Sequence, residues 1–354
     1  MKDIFFKVIG NRLFWPLVML VALVVTNAVA VPGFLSITVN ADGNLFGSLI
    51  DILRNGAPTL IIAVGMTLVI ATRGIDLSVG SLCAIAGAMA CSIILTSPDP
   101  NNIGTVTVAV LVALALALVL GLWNGMLVSV LGIQPIIATL ILMTAGRGIA
   151  MLITEGQILT VQSTPFKFLG SGFIWGIPFA TVVAAVVLAL VALLTRRTAL
   201  GMLIESVGIN PEASRQAGVR ARGLLFLVYG LCALLAAVAG IILTSNQTAA
   251  DANNTGLFIE LDAILAVVIG GTSLNGGRYS LTGTLVGALV IQTLITTVYT
   301  VGIPPIATMV FKAAVVVVVT LLQSPTTTAA VERWRSRPKT AQPSSRPSEP
   351  AVAR

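Results

Sequence analysis

Charged residues are scarce in this sequence of 354 residues. Asp, Glu, Lys and Arg make up only 9% of the chain, whereas 56% of its residues are apolar. A soluble globular domain has about 25% charged residues, which cover its water-facing surface. The composition therefore excludes a soluble enzyme, a disordered chain and a nucleic-acid-binding protein, and it indicates a polytopic membrane protein.

Histidine is absent, and cysteine occurs three times. Without imidazole there is no Ser-His triad, no histidine metal site and no imidazole proton relay. Cys83, Cys91 and Cys232 lie in apolar segments at a spacing typical of neither a zinc site nor a disulfide framework, so we expect buried thiols. We therefore expect no catalytic residue, no metal and no cofactor.

A phosphate-binding loop is also absent from the sequence. None of the five lysines follows a glycine, so the pattern G-x-x-x-x-G-K-[ST] does not occur. The chain is therefore not expected to be an enzyme with its own ATPase site. If it pumps, a separate subunit must hydrolyse the ATP.

Ten apolar segments approach the roughly 20 residues that a bilayer-crossing helix needs. The predicted fold is accordingly an all-α membrane protein with about ten transmembrane helices. The predicted spans are 13–31, 49–71, 77–96, 105–130, 135–153, 174–195, 224–244, 257–271, 281–300 and 305–323. The eighth is too short to cross alone and ends in a glycine-rich run, a pattern found where backbone lines a water-filled cavity.

The basic residues predict the orientation of these spans. If the N-terminus is cytoplasmic, 16 of the 20 Lys and Arg residues fall on cytoplasmic segments, and an even number of spans puts the C-terminus there too. The chain then divides into a cytoplasmic N-terminal segment (1–12), a transmembrane domain (13–323) and a basic tail (324–354). The tail is rich in Pro, Ser, Thr and Ala and is expected to be disordered and cytoplasmic.

The longest predicted cytoplasmic loop, 196–223, contains five arginines. A short helix is predicted at 211–217, with Asn210 as its N-cap, Pro211 at its first position and Gly218 at its end. Such a helix is suited to dock a cytoplasmic partner. A plain solvated connector is the alternative.

Several polar side chains are predicted to lie within or at the edge of spans. A charge at the centre of a membrane helix costs about 2.5–3.5 kcal/mol, so such groups usually face the bundle interior or water. The side chains of Arg147 and Lys312 either extend to the outer membrane interface or take a direct part in the function of the protein. Asp76 and Asp262 are interpreted as helix N-caps. Glu260 and Asp262 are two residues apart and cannot share a helix face.

Four segments of the sequence resemble the ribose-type sugar permeases of bacterial ABC importers. They are GMTLVIATRGIDLSVG at 65–80, GLWNG at 121–125, ESVGINPEASRQAG at 205–218 and ELDAILAVVIGGTSLNGG at 260–277. The third matches the E-A-x-G coupling segment of such permeases, with Ser206 in the alanine position. Within this family, 134–158 and 251–264 are most similar to a galactofuranose-type permease.

This resemblance implies a channel-forming subunit in the bacterial inner membrane that translocates a monosaccharide, galactofuranose or a related pentose or hexose. It implies cytoplasmic ATP-binding subunits, a periplasmic sugar-binding protein and a second permease, identical or different, as partners. Membrane lipids surround the chain and nucleic acid is not a partner. The residues that match the ATPase-coupling segment are Glu205, Gly208, Asn210 and Gly218.

Five polar residues are candidates for the translocation pathway: Asn124, Gln134, Asn246, Asp251 and Glu260. An ion-coupled secondary sugar transporter is the competing interpretation. Discontinuous helices, together with Asp76, Glu260 and Asp262, would suit it.

Overall fold

The computed structural model describes residues 13–302, 304 and 307–323, so the predicted segments 1–12 and 324–354 lie outside the described residues. The chain is mostly helical. Helices α1 to α13 are, in order, Phe14–Ala30, Ser48–Ala71, Val79–Thr96, Ile103–Ser129, Pro135–Ile153, Thr164–Ser171, Phe179–Arg197, Leu200–Ile209, Pro211–Gln216, Ala221–Gln247, Ile259–Ile269, Leu281–Thr300 and Thr308–Gln323.

Seven of the described helices are long and apolar enough to cross a membrane, namely α2, α3, α4, α5, α7, α10 and α12. The chain is therefore a multi-pass membrane protein. The other predicted spans fall on α1, α11 and α13, which have 17, 11 and 16 residues. At about 1.5 Å per residue, α11 covers roughly half of a hydrocarbon core about 30 Å thick, as expected for the short eighth segment. The count of ten crossings stays a prediction.

Helices α2, α3 and α10 form the centre of the bundle. Helix α10 packs on α2, α3 and α4, and α2 also contacts α7, α11 and α12. Small residues permit these approaches, since Gly65 lies against Cys232 and Gly240 lies against the backbone of Cys83. In a bilayer, where lipid is as apolar as the side chains, close backbone packing of this kind holds helices together. The three cysteines are free and buried, as expected.

Helices α3 and α11 both begin inside the bundle. Residues 72–78, between α2 and α3, are not helical. The Ser81 hydroxyl in the first turn of α3 donates to the Leu142 carbonyl, near the middle of α5, at 3.1 Å. The Glu260 carboxylate, in the first turn of α11, lies against the backbone of Gly80. The N-termini of α3 and α11 therefore meet beside the middle of α5.

Three two-stranded antiparallel ribbons are formed by loops. They are β1 (Thr38–Val39) with β2 (Leu45–Phe46), β3 (Leu159–Thr160) with β6 (Ala249–Ala250), and β4 (Phe173–Ile174) with β5 (Ile177–Pro178). Helix α10 is preceded in the chain by α9 and followed directly by strand β6. Because α10 has 27 residues, about 40 Å separate the α9 end of the bundle from its β6 end.

Candidate functional site

The short helix α9 begins and ends close to where the sequence predicts. The Asn210 side chain accepts hydrogen bonds from the backbone amides of Glu212 (3.1 Å) and Ala213 (3.0 Å), and Pro211 occupies the first turn. The helix stops at Gln216, and Gly218 follows with a left-handed φ of 85°. The N-cap, the start and the stop predicted for this element are confirmed.

The surface of α9 is polar and open. Most of its residues are exposed, and only Ser214 is buried. Arg215 and Glu212 form an ion pair of 2.7 Å on the exposed face. An exposed pair of this kind adds little stability. The helix therefore projects charged side chains from the bundle without being held by them, which suits contact with another protein.

The helix before α9 is anchored through Gly208. A Cβ at this position would lie 1.8 Å from the carbonyl oxygen of Ala71, so a residue with a side chain cannot sit here without displacing the end of α2. Glu205, one turn earlier, lines a cavity of about 320 Å³ together with Arg196 and Tyr279. Burial raises the pKa of the Tyr279 hydroxyl above its ordinary value.

A polar cluster lies deep in the bundle around Ser78. Asp76 Oδ1 accepts from the Ser78 amide at 2.9 Å and from its hydroxyl at 2.6 Å. The Asn124 side-chain amide donates to the Ser78 hydroxyl at 2.9 Å. Asp76, Ser78 and Asn124 are all fully buried. Asn124 therefore connects α4 to the non-helical segment before α3.

The N-cap interpretation of the two aspartates is wrong. Ser78 occupies the N-cap position of α3 and makes no side-chain cap bond, while Asp76 closes a turn two residues earlier. Asp262 lies inside α11 and accepts from the Lys312 ammonium at 2.7 Å through both carboxylate oxygens. A carboxylate partner keeps Lys312 in the protein, so it does not extend to the interface alone.

Arg147 is directed toward the start of α11. Its guanidinium donates to the carbonyl oxygens of Ala252 (2.9 Å) and Thr255 (2.8 Å), and its charge also interacts with Glu260 and Asp251. Glu260 is only 3% exposed. Glu260 and Asp262 point to different neighbours, in agreement with the helix geometry that the sequence predicts.

The remaining pathway candidates are spread over the molecule. At the β6 end, Asn246 is exposed and accepts from Arg54 at 2.7 Å. Asp251 lies in the loop after β6, where a hydrogen bond from the Asn254 side chain is the main reason its pKa is lowered. Gln134 is exposed at the start of α5 and makes no cap bond. Asp251 and Glu260 are near enough to Arg147 for its charge to act on both, but the structure does not unite all five candidates.

Sequence reasoning missed two residues that connect separate segments. It counted Arg73 only as a cytoplasmic charge, and it did not single out Ser78. Arg73 follows the apolar run of α2 directly and has a left-handed φ of 64°. Its guanidinium donates to backbone carbonyls of two distant segments. An arginine at the end of an apolar run followed by Gly74 was the available signal for such a turn.

Comparison with known proteins finds relatives that match most of the chain. A galactofuranose transporter permease protein of Escherichia coli (strain K12) is 48% identical over 335 residues, which is 93% of this chain and 96% of that protein. A fructose import permease of Bifidobacterium longum (strain NCC 2705) is 45% identical over 324 residues, 90% of this chain and 89% of that protein. A ribose import permease of Bacillus subtilis (strain 168) is 36% identical over 277 residues, 78% and 84% of the two chains.

These relatives are permeases, and they give no support to the ion-coupled interpretation. No solved structure matches the chain significantly. A family model described as the permease component of a branched-chain amino acid transport system matches residues 48–320. The chain therefore belongs to this family of transport-system permeases.

Proposed function

We propose that the chain is the membrane permease of an ATP-driven importer and that its cargo is a monosaccharide. The observation that carries this proposal is the identity of 48% and 45%, over nine-tenths of the chain, to permeases named for galactofuranose and fructose. The family description names branched-chain amino acids, but those two relatives are named for sugars. Galactofuranose or a related pentose or hexose is the substrate class.

The proposed location is the bacterial inner membrane, with ten crossings and both termini in the cytoplasm. The excess of basic residues on the α9 side supports this orientation. Residues 13–323 form the permease domain in this view, flanked by a short N-terminal segment (1–12) and a basic tail (324–354). The β6 end then faces the periplasm.

The proposed partners are cytoplasmic ATP-binding subunits, a periplasmic sugar-binding protein and a second permease, either identical to this chain or different from it. The lack of a phosphate loop in the sequence requires a separate ATPase. The open, polar α9 is the docking element for it. Glu205, Gly208, Asn210 and Gly218 build this coupling segment: Asn210 caps α9, Gly208 holds α8 against α2, and Gly218 allows the chain to turn toward α10.

The proposed mechanism is alternating access, in which closure of the ATPase pair moves the coupling segments and turns the cavity from one side to the other. Asn246 and Asp251, at the β6 end, would meet sugar on entry. Glu260 and Asn124 lie deeper, and Gln134 lies at the start of α5. Specificity would rest largely on the binding protein, so these residues need to supply only weak polar contacts.

The test is uptake by proteoliposomes containing the chain with the ATPase, the second permease and the binding protein of its importer. Radiolabelled galactofuranose, fructose, ribose and leucine are supplied in turn, with ATP enclosed or omitted. We expect ATP-dependent accumulation of one of the sugars. Accumulation of leucine alone would overturn the sugar assignment, and accumulation driven by an ion gradient without ATP would overturn the importer.

A paired variant tests the coupling segment. Gly208→Val should abolish ATPase recruitment and uptake, because its side chain would collide with Ala71. Gly223→Val is the control, since a Cβ at Gly223 meets nothing within 4 Å. Normal recruitment and normal uptake in Gly208→Val would remove the docking assignment.

A further inference from the structure

Three chain segments that are distant in sequence meet at the α9 end of the bundle. They are the end of α2, the end of α8 and the loop between α11 and α12. The Gly277 amide donates to the Ala71 carbonyl at 2.8 Å, which joins the loop to α2. Gly208 lies against that same carbonyl, which joins α8 to α2. The backbone of all three segments therefore forms one compact junction.

Arg73 bridges this junction with its side chain. Its terminal nitrogen donates to the Ile209 carbonyl at 2.5 Å, and its Nε donates to the Asn275 carbonyl at 3.1 Å. The planar guanidinium offers donors in a fixed fork, which a lysine cannot reproduce. Ile209 is the last residue of α8, where helix carbonyls carry partial negative charge that favours a cation.

The position of Ile209 matters because α9 starts immediately beyond it. Asn210, the next residue, provides the cap that holds α9. A force on α9 therefore reaches the Ile209 carbonyl through a single residue. Arg73 is bonded to that carbonyl on one side and to the α11–α12 loop on the other.

Both segments held by Arg73 lead to the same place inside the bundle. From Arg73 the chain runs through the non-helical residues 74–78 to the start of α3. From Asn275 it runs back through 270–274 to α11. The far end of α11 carries Glu260, which lies against Gly80 in the first turn of α3. The junction thus connects to both helices whose N-termini meet beside α5.

We propose that Arg73 is a positioning residue that links the ATPase-docking segment to α3 and α11, so that both helices move together when α9 moves. The inference rests on the proposed importer function and assigns one side chain to its coupling. Arg73 is exposed, and its substitution removes two hydrogen bonds without opening the core. Removing it should therefore leave assembly intact and uncouple ATP hydrolysis from sugar movement.

The experiment measures sugar molecules imported per ATP hydrolysed in the complete reconstituted importer. The sugar is galactofuranose, fructose or ribose, whichever the wild-type complex accumulates. Arg73→Ala should lower this ratio about fivefold or more while subunit recovery and basal ATPase activity stay near wild type. Arg73→Lys should fall between, because an ammonium lacks the fork that reaches both carbonyls. Arg278→Ala is the matched control and should keep the wild-type ratio, because Arg278 is exposed, lies next to Gly277 and makes no hydrogen bond within the described part of the chain.

Three outcomes would overturn the proposal. One is an unchanged ratio in Arg73→Ala, and another is an equal fall in Arg278→Ala. If Arg73→Ala fails to assemble, the ratio is measured in Gly276→Ala instead. The new Cβ would lie 2.4 Å from Arg73 Cγ and displace the arginine side chain. An assembled Gly276→Ala complex with a normal ratio is the third. If the wild-type complex imports no sugar with ATP, the importer function itself fails, and this inference falls with it.

Discussion

The centre and the rim of the bundle follow opposite rules. In an 18-residue apolar stretch of α2, 83% is buried inside the protein. In the corresponding stretch of α4 the share is 22%, although α4 has the higher mean hydropathy. In water the more apolar helix would be the buried one. In a bilayer it faces lipid, and helices with more small or polar residues pack inside.

Helix α10 shows what else decides between the two regions. It is nearly as apolar as α4, yet 67% of its 18-residue apolar stretch is buried. Its buried residues include several alanines and glycines, among them Ala233, Ala236 and Gly240. Small residues on one face, rather than low hydropathy, bring this helix to the centre.

The largest expected difference between centre and rim concerns glycine. Gly240→Val should lower the free energy of unfolding by about 3 kcal/mol, since overpacking a tight contact forces the backbone apart. A Cβ at Gly240 would lie 2.4 Å from the Cys83 carbonyl oxygen and 2.5 Å from its Cα. The apparent Tm of the purified protein in detergent measures the effect.

Gly148→Val on the rim helix α5 is the matched control. A Cβ there meets nothing within 4 Å, so the same substitution should change stability by only about 0.5 kcal/mol. Equal losses in the two variants would contradict the division of the bundle into a tight centre and an open rim.

Local patterns in the sequence predict one part of this structure. Apolar length predicts most helices, and the signals of Asn210, Pro211 and Gly218 predict α9, because both are local properties of the chain. The short α11 is also predicted from the glycines that follow Ile269. These features need no knowledge of which segments become neighbours.

Contacts between distant segments escape such reasoning. Asp262 looks like a helix cap until α13 brings Lys312 to it, 50 residues later in the chain. In the sequence Arg73 is one more basic residue of a predicted cytoplasmic loop, and its role is seen only when Ile209 and Asn275 approach it. The five pathway candidates were chosen by polarity and depth, and polarity alone does not tell which of them face the same space.

A second prediction concerns the ion pair that attaches the last described helix to α11. Lys312→Met should destabilise the protein by about 2 kcal/mol, because it leaves the Asp262 carboxylate largely buried without its partner. The two side chains are only 18% and 14% exposed. Thermal unfolding in detergent gives the loss.

The double variant Asp262→Asn with Lys312→Met provides the control. It removes both charges, so it should be more stable than Lys312→Met alone. Asp262→Asn alone is measured as well. If the stability losses of the two single variants simply add in the double variant, the pair does not hold α13 to α11. This part of the molecule would then depend on apolar packing, as the rest of the rim does.

The smallest expected effect tests whether a buried polar contact at the centre is structural or functional. Asn124→Leu removes the hydrogen bond to Ser78 and should cost about 0.6 kcal/mol, the average for such bonds between membrane helices. Gln134→Leu, at an exposed position without a cap bond, should cost nothing measurable. Uptake by the reconstituted importer is then compared with the apparent Tm. If Asn124→Leu reduces uptake much more than so small a loss of stability explains, Asn124 contacts the sugar or moves during transport. If uptake follows stability, its hydrogen bond serves only to fix α4 to the segment before α3, and Asn124 is removed from the pathway.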